Sequence, residues 1–176
     1  MSEEKTQIEL KKESYPKINF GLIGPSGSGK FCLMGRIYYN DFIPHHYHGP
    51  GQSWTFVKVD VNNEKFEIKF LTETAKDHFK RLMLDDFVNE CEHGILVYDI
   101  TQEMNYNFDY LKKMIDEINE MKEKRRKKKP TYFMLGTKLD REKERKTKAE
   151  DAEKFCQVNK CIFIGETTLK IWIKKF

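Results

Sequence analysis

The sequence predicts an α/β domain: a mixed, mostly parallel six-stranded sheet with one antiparallel hairpin strand and helices on both faces. Three observations carry this expectation. Short apolar runs alternate with segments of helical spacing from Lys17 to Lys170, the pattern of a parallel sheet with crossover helices. Two neighbouring runs, Trp54–Val61 and Lys65–Leu71, are separated only by a turn-forming stretch at Asn62-Asn63, which inserts a hairpin. Gly94–Ile100 is apolar without alternation, as a strand covered on both faces requires.

Met1–Pro16 is polar and reads as a flexible extension, which leaves residues 17–176 as one domain. Lys17–Ile23 is the first strand, with Ile18, Phe20 and Leu22 on one face and Ile23 adding to the other. Gly24-Pro25-Ser26-Gly27-Ser28-Gly29-Lys30-Phe31 follows. It fits the phosphate-loop pattern G-x-x-x-x-G-K-[ST] at every fixed position but the last. Small residues let successive backbone N–H groups curl around a diphosphate, and the helix that follows aims its positive end at the same anion. Lys30 adds an ammonium for the outer phosphates. The candidate phosphate-binding residues are therefore Gly24, Pro25, Ser26, Gly27, Ser28, Gly29, Lys30, Phe31 and Cys32. The plainer alternative is a glycine-rich turn with no ligand; the flanking strand and helix favour the cradle.

Phe31–Tyr39 reads as a helix burying Leu33, Ile37 and Cys32, ending near Asn40-Asp41. Residues 42–53 form a loop rich in Pro, Gly and His. His45, His46 and His48 could gather on a metal, but nothing in a loop fixes their rings together, so an exposed loop is the preferred reading. In the first hairpin strand Thr55, Val57, Val59 and Val61 make the better core face; in the second, Phe66, Ile68 and Phe70 alternate with Glu67 and Lys69. Thr72–Asp77 is turn-like. His78–Cys91 is helical, with Phe79, Leu82, Met83, Phe87 and Cys91 inward, and Phe108–Met121 is an amphipathic helix on Phe108, Leu111, Ile115 and Ile118.

Lys122–Lys129 is a charge run closed by Pro130. It reads first as a solvated helix end whose cations complement the helix dipole, and secondly as a patch for acidic lipids or an acidic partner. Thr131–Gly136 is a strand and Arg141–Thr147 a charged loop. Ala149–Val158 is a helix and Cys161–Ile164 the last strand. Ligands of open α/β sheets lie at the carboxyl ends of the strands. The glycine loop, Thr137-Lys138-Leu139-Asp140 and Glu166-Thr167-Thr168-Leu169-Lys170 all fall there. Three polar segments converging on one edge weigh more than any one motif.

The 176 residues suffice for one core, and a net charge of +4 does not mark nucleic-acid binding as the main task. There is no apolar run of bilayer length and no secretory signal. Cys32, Cys91, Cys156 and Cys161 have no C-x-x-C pairing and read as reduced, mostly buried thiols of a cytoplasmic protein.

On these residues the sequence resembles a Ras-superfamily small GTPase of the Rab branch. Gly24–Leu33 resembles the family's phosphate loop and first helix, and Leu96–Thr101 its fourth strand. Thr137–Asp140 matches the guanine motif [NT]-K-x-D, and Glu166–Lys170 resembles Glu-Thr-Ser-Ala-Lys. The resemblance implies GDP or GTP as ligand, with Thr137, Lys138, Asp140, Thr168, Leu169 and Lys170 around guanine. The chemistry agrees. An Asp140 carboxylate only accepts, and guanine offers two N–H donors on one edge where adenine offers neither. The stem of Lys138 can lie along the purine face, and Thr137 would tie this loop to the phosphate loop.

The sequence departs from the family where the cation and the attacking water belong. Phe31 stands in place of the Ser or Thr that reaches Mg²⁺. The family's Asp-x-x-Gly aligns with Thr72-Glu73-Thr74-Ala75, Lys76 replaces the water-orienting glutamine, and the switch-loop threonine falls near Gly49. Gly49, Thr72, Ala75 and Lys76 are thus degenerate switch positions, with no catalytic residue and no metal ligand expected among them. Phosphoryl transfer depends on metal neutralisation and positioning of the nucleophile. Weak or absent hydrolysis and weak Mg²⁺ dependence follow as expectations.

After Lys170 only Ile171–Phe176 stand where the family has a long helix, and no lipidation cysteine lies near the end. A short domain, or one part of a longer or tandem-domain protein, is expected. It would be cytoplasmic and peripheral to endomembranes through a partner or a further region, and would engage effector or regulator proteins. The alternative is a nucleotide-free pseudo-GTPase acting as a protein-interaction scaffold.

Overall fold

The computed structural model describes residues 15–39, 53–72 and 80–167. The elements run β1 (Lys17–Ile23), α1 (Lys30–Tyr39), β2 (Ser53–Val61), β3 (Glu64–Thr72), α2 (Lys80–Glu90), β4 (His93–Asp99), α3 (Met104–Lys124), β5 (Thr131–Thr137), α4 (Ala149–Asn159) and β6 (Ile162–Glu166). The six strands form one sheet in the order β2-β3-β1-β4-β5-β6. Only the β2–β3 pair is antiparallel; the four other pairings are parallel.

The hairpin closes on Asn62 and Asn63 at φ 53° and 65°. Two consecutive left-handed residues give the turn whose twist matches that of the strands, and asparagine tolerates this backbone better than most side chains. Asn63 N–H donates to the Asp60 carboxylate at 3.1 Å, which holds the turn.

The sheet carries a core on each face. On one, α2, α3 and α4 pack Phe87, Val88, Leu111, Ile115, Ile118 and Cys156 against Leu96, Tyr98 and Met134. On the other, α1 packs Leu33 and Met34 against Leu22, Phe70 and Val97. Gly21 is required by this packing, because a Cβ there would lie 1.9 Å from the Phe87 ring. All four cysteines are free thiols; Cys91 and Cys156 are buried.

The structure corrects the sequence reading in three places. α3 begins four residues earlier than Phe108 and runs on to Lys124, so Lys122 is not part of a solvated end: it is 5% exposed and its ammonium donates to Cys91 O at 2.8 Å. Leu139–Glu144 forms a 3-10 helix broken at Arg141, so the first part of the loop expected over Arg141–Thr147 is helical. Val61, assigned to the core face of β2, is exposed at the end of a strand that lies at the sheet edge. The expected N-terminal extension, the histidine loop, the side chains of Trp54, Phe79, Leu82 and Met83, and Ile171–Phe176 lie outside the described residues and side chains.

Candidate functional site

The site is built from chain segments leaving β1, β5 and β6 at their carboxyl ends. Residues 24–29 join β1 to α1. Gly24 must be glycine: a Cβ there would lie 2.2 Å from Val97 O and 2.7 Å from Ser28 Oγ. Gly27 and Gly29 take φ of 77° and 92°, backbone that side chains with a Cβ rarely adopt. The turn is closed by Ser28 N–H to Pro25 O at 3.2 Å, and α1 starts with Leu33 N–H to Gly29 O at 2.8 Å. The backbone N–H groups at the start of a helix point outward along its axis at the positive end of its dipole, so the start of α1 suits an anion.

Lys30, at 6% exposure, folds its ammonium onto the loop, donating to Gly24 O at 2.6 Å and Pro25 O at 2.9 Å. Phe31 and Cys32 are half-buried on the same turn, and burial pushes the Cys32 thiol pKa up against the opposing pull of Lys138. From α3, the Tyr106 hydroxyl reaches to 3.5 Å from Ser26 O.

The exit of β5 is fastened to this loop. Thr137, fully buried, shares its hydroxyl proton between Ser28 O at 2.8 Å and Tyr98 O at 3.1 Å. Lys138 follows with a left-handed backbone (φ 65°), and its ammonium pairs with Asp99 Oδ2 at 2.6 Å. Asp99 ends β4 and is 3% exposed in its side chain. Its other oxygen accepts from Thr101 N–H at 2.9 Å and Thr101 Oγ1 at 2.7 Å. Asp140 is exposed on the 3-10 helix.

The exit of β6 is fastened in turn to β5. Thr167 N–H donates to Gly136 O at 2.8 Å, and Leu139 N–H to Thr167 O at 3.2 Å. Below them Glu166 accepts from the Tyr98 hydroxyl at 2.6 Å and from both arms of Arg145 at 2.7 and 2.6 Å. Burial works to raise the Glu166 carboxyl pKa, but the Arg145 and Tyr98 bonds outweigh it and hold it below the usual carboxylate range. Burial and the same carboxylate push the Tyr98 phenol up. Gly136 leaves room for this group, since a Cβ there would lie 2.7 Å from both Tyr98 Cζ and Glu166 Cγ.

Most of the expected site residues are thus on one edge: Gly24–Cys32, Thr137, Lys138 and Asp140 are grouped, and Thr72 ends the neighbouring β3, in register with Leu22. Thr168, Leu169, Lys170, Gly49, Ala75 and Lys76 lie outside the described residues. Sequence reasoning passed over four members of the supporting frame: Asp99, Tyr98, Arg145 and Asn107. Asn107, fully buried, donates to Asp99 O at 2.9 Å and Thr147 Oγ1 at 3.3 Å. Only Asp99 left a readable trace, an Asp two residues before a Thr at a strand end, the signature of a side-chain-closed turn.

A family model described as Ras family matches residues 19–171. The chain belongs to the Ras family. Within the Ras family it is similar to the GTP-binding protein ypt4 of Schizosaccharomyces pombe, 27% identical over 84% of this chain and 62% of that protein. It is also similar to Ras-related protein Rab-15 of Mus musculus, 26% identical over 77% of this chain and 61% of that one. Ras-related protein Rab-13 of Bos taurus is 29% identical over 85% of this chain and 70% of its own. The match therefore spans about three fifths of the first two relatives, and the chain is a Rab-like member of the Ras superfamily.

The ligand groups such a fold implies can be tested against these residues. For a diphosphate the fit is good: a turn that admits no Cβ at Gly24, two left-handed glycines and a buried ammonium. Among the described residues the buried Ser28 Oγ also lacks a hydrogen-bond partner, as a hydroxyl awaiting a ligand or water would. For a divalent cation the donors among the described residues are poor. Phe31 supplies no oxygen, and Thr72 offers a neutral hydroxyl, buried and likewise unpartnered, where a carboxylate is wanted.

Proposed function

We propose that this chain is a guanine-nucleotide-binding Rab-like domain that binds GDP or GTP with little dependence on Mg²⁺ and hydrolyses GTP weakly or not at all. We place it in vesicle trafficking or signalling, where it would act through effector or regulator proteins. One observation supports the reading most: the Thr137 hydroxyl on Ser28 O at 2.8 Å. It makes the phosphate-side and base-side loops one unit, so a ligand touching both meets a preformed shape and loses little in ordering it.

In this reading the N–H groups around Gly27–Cys32 take the phosphates, with the Lys30 ammonium beside them. Asp140 accepts from the guanine edge, and Thr168, Leu169 and Lys170 complete the base side. The relative named GTP-binding protein ypt4 supports the choice of ligand. Phe31 and Thr72, with Lys76 in the sequence, support the loss of cation dependence and of hydrolysis, because each removes an oxygen or an acceptor that the reaction uses, and Ala75 adds a methyl where the family has a glycine beside the γ-phosphate.

The test is to denature purified protein and run the extract on an ion-exchange column. Guanine nucleotide is expected. Asp140→Asn should shift preference toward xanthine nucleotides, since an amide can donate to the carbonyl that replaces guanine's amine. A bare extract with an unshifted preference would overturn the reading.

A second reading has one observation in its favour. Lys30 already satisfies its ammonium on the loop's own carbonyls, Gly24 O and Pro25 O. A loop closed on itself in this way suits a nucleotide-free scaffold, which micromolar GDP binding in EDTA would exclude.

A further inference from the structure

At the other end of the sheet lies a feature the glycine-loop edge does not use. β1, β4 and β5 are parallel, and the glycine loop follows the last residue of β1. Beside the first residues of β4 and β5, His93 and Thr131, opens a cavity of about 410 Å³. Its remaining wall is Lys122, Lys127, Lys128 and Lys129, with Glu92 as its one carboxylate.

The lysines are held there by backbone geometry, not by chance rotamers. α3 ends with Arg126 in the left-handed region (φ 54°), Arg126 N–H on Glu123 O at 2.9 Å and Lys127 N–H on Lys122 O at 2.8 Å. This pair of bonds is the Schellman arrangement, and it folds the chain back over the helix end. Lys127 then reaches Asn89 O and Asn89 Oδ1, both at 3.1 Å, while Lys129 sits 3.3 Å from Glu123. Among the described residues Lys128 makes no ion pair or hydrogen bond. Lys122 is buried beneath them, and burial, with Lys127 beside it, lowers its ammonium pKa. Four ammonium groups line the cavity against two carboxylates, Glu92 in its wall and Glu123 beside Lys129, and a bound anion offsets the remaining positive charge.

His93 lines the cavity at the start of β4. Its ring sits against Phe20 (5.0 Å between centroids) and Phe133 (6.0 Å). Its Nδ1 is buried with no hydrogen-bond partner among the described residues.

We propose that this cavity is a second anion site that takes a phosphate-rich ligand of inositol-phosphate size, either free or as the headgroup of a membrane lipid. The size follows from the volume, which falls at the small end of the roughly 300–1,000 Å³ usual for ligand pockets and far exceeds one phosphate. The class follows from the charge of the lining: Lys122, Lys127, Lys128 and Lys129 face a wall that holds one carboxylate, Glu92. Such a surplus of ammonium groups matches a ligand that carries several phosphates. The site is independent of nucleotide binding at the glycine loop.

The test titrates the full chain with inositol 1,4,5-trisphosphate, with and without saturating GDP. Saturable binding that GDP leaves unchanged is expected. Lys128→Gln, which breaks no contact in the fold, should weaken it about fivefold or more, whereas Lys124→Gln, the same charge loss outside the cavity, should not. Phosphatidylcholine vesicles carrying phosphatidylinositol 4,5-bisphosphate, against phosphatidylserine vesicles of equal charge, separate the two sources. Lys128-dependent preference for the bisphosphate vesicles assigns a lipid headgroup. Trisphosphate binding without vesicle binding assigns a soluble ligand. No saturable binding, competition by GDP, or equal losses in Lys124→Gln and Lys128→Gln would overturn the proposal.

Discussion

At the residue scale, the candidate site rests on a few buried polar atoms with named partners. Thr137 is the one whose loss reads out most directly. Thr137→Val keeps the volume and removes a hydroxyl that spans Ser28 O and Tyr98 O. We expect a loss of about 1–3 kcal/mol in urea unfolding, with Thr137→Ser restoring most of it. Glu166 gives a second test, in pH. Its carboxyl has a lower pKa in the folded chain than in the unfolded one, because the Arg145 and Tyr98 bonds outweigh burial. The stability it contributes is therefore complete above the unfolded value of about 4.3 and is lost as pH falls through the lower native value. Arg145→Gln removes the larger of the two lowering influences. It should lower stability at neutral pH and flatten the acid limb of a stability–pH curve, and a variant with the wild-type acid limb would contradict the assignment.

At the scale of elements, periodicity and turn chemistry made most of the architecture legible. The glycine loop, the Asn62-Asn63 turn and the inward rows of α3 stand as the spacing predicts. What stayed hidden has a common cause. Lys122 reads as one cation among eight consecutive charge-bearing residues, and only the turn after α3 decides that it is buried on Cys91 O. Asp99, Asn107 and Arg145 acquire meaning from partners 8 to 40 residues away, a separation no local pattern encodes. The turn itself is testable. Arg126 holds a left-handed backbone that glycine occupies without strain. Arg126→Gly should stabilise the fold by about 0.5–1 kcal/mol, seen as a raised Tm. A fall in Tm would show that the Arg126 side chain contributes more than its backbone costs.

At the scale of the whole molecule, the sheet divides the work between its ends. The carboxyl ends of β1, β5 and β6 gather the glycine loop, Thr137–Asp140 and Glu166-Thr167, fastened to one another by Thr137 and by the backbone bonds of Thr167. The starts of β4 and β5 carry the lysine-walled cavity. Membership of the Ras family accounts for the first arrangement. The central claim is that the anion cradle works without the cation. The most direct measurement is the affinity for GDP at equilibrium, in excess Mg²⁺ and again in excess EDTA. The account predicts micromolar or tighter binding in both, with constants within about twofold of each other, since neither Phe31 nor Thr72 offers the ion a charged oxygen. Absence of binding, or an affinity that collapses by about a hundredfold when the cation is removed, would contradict it.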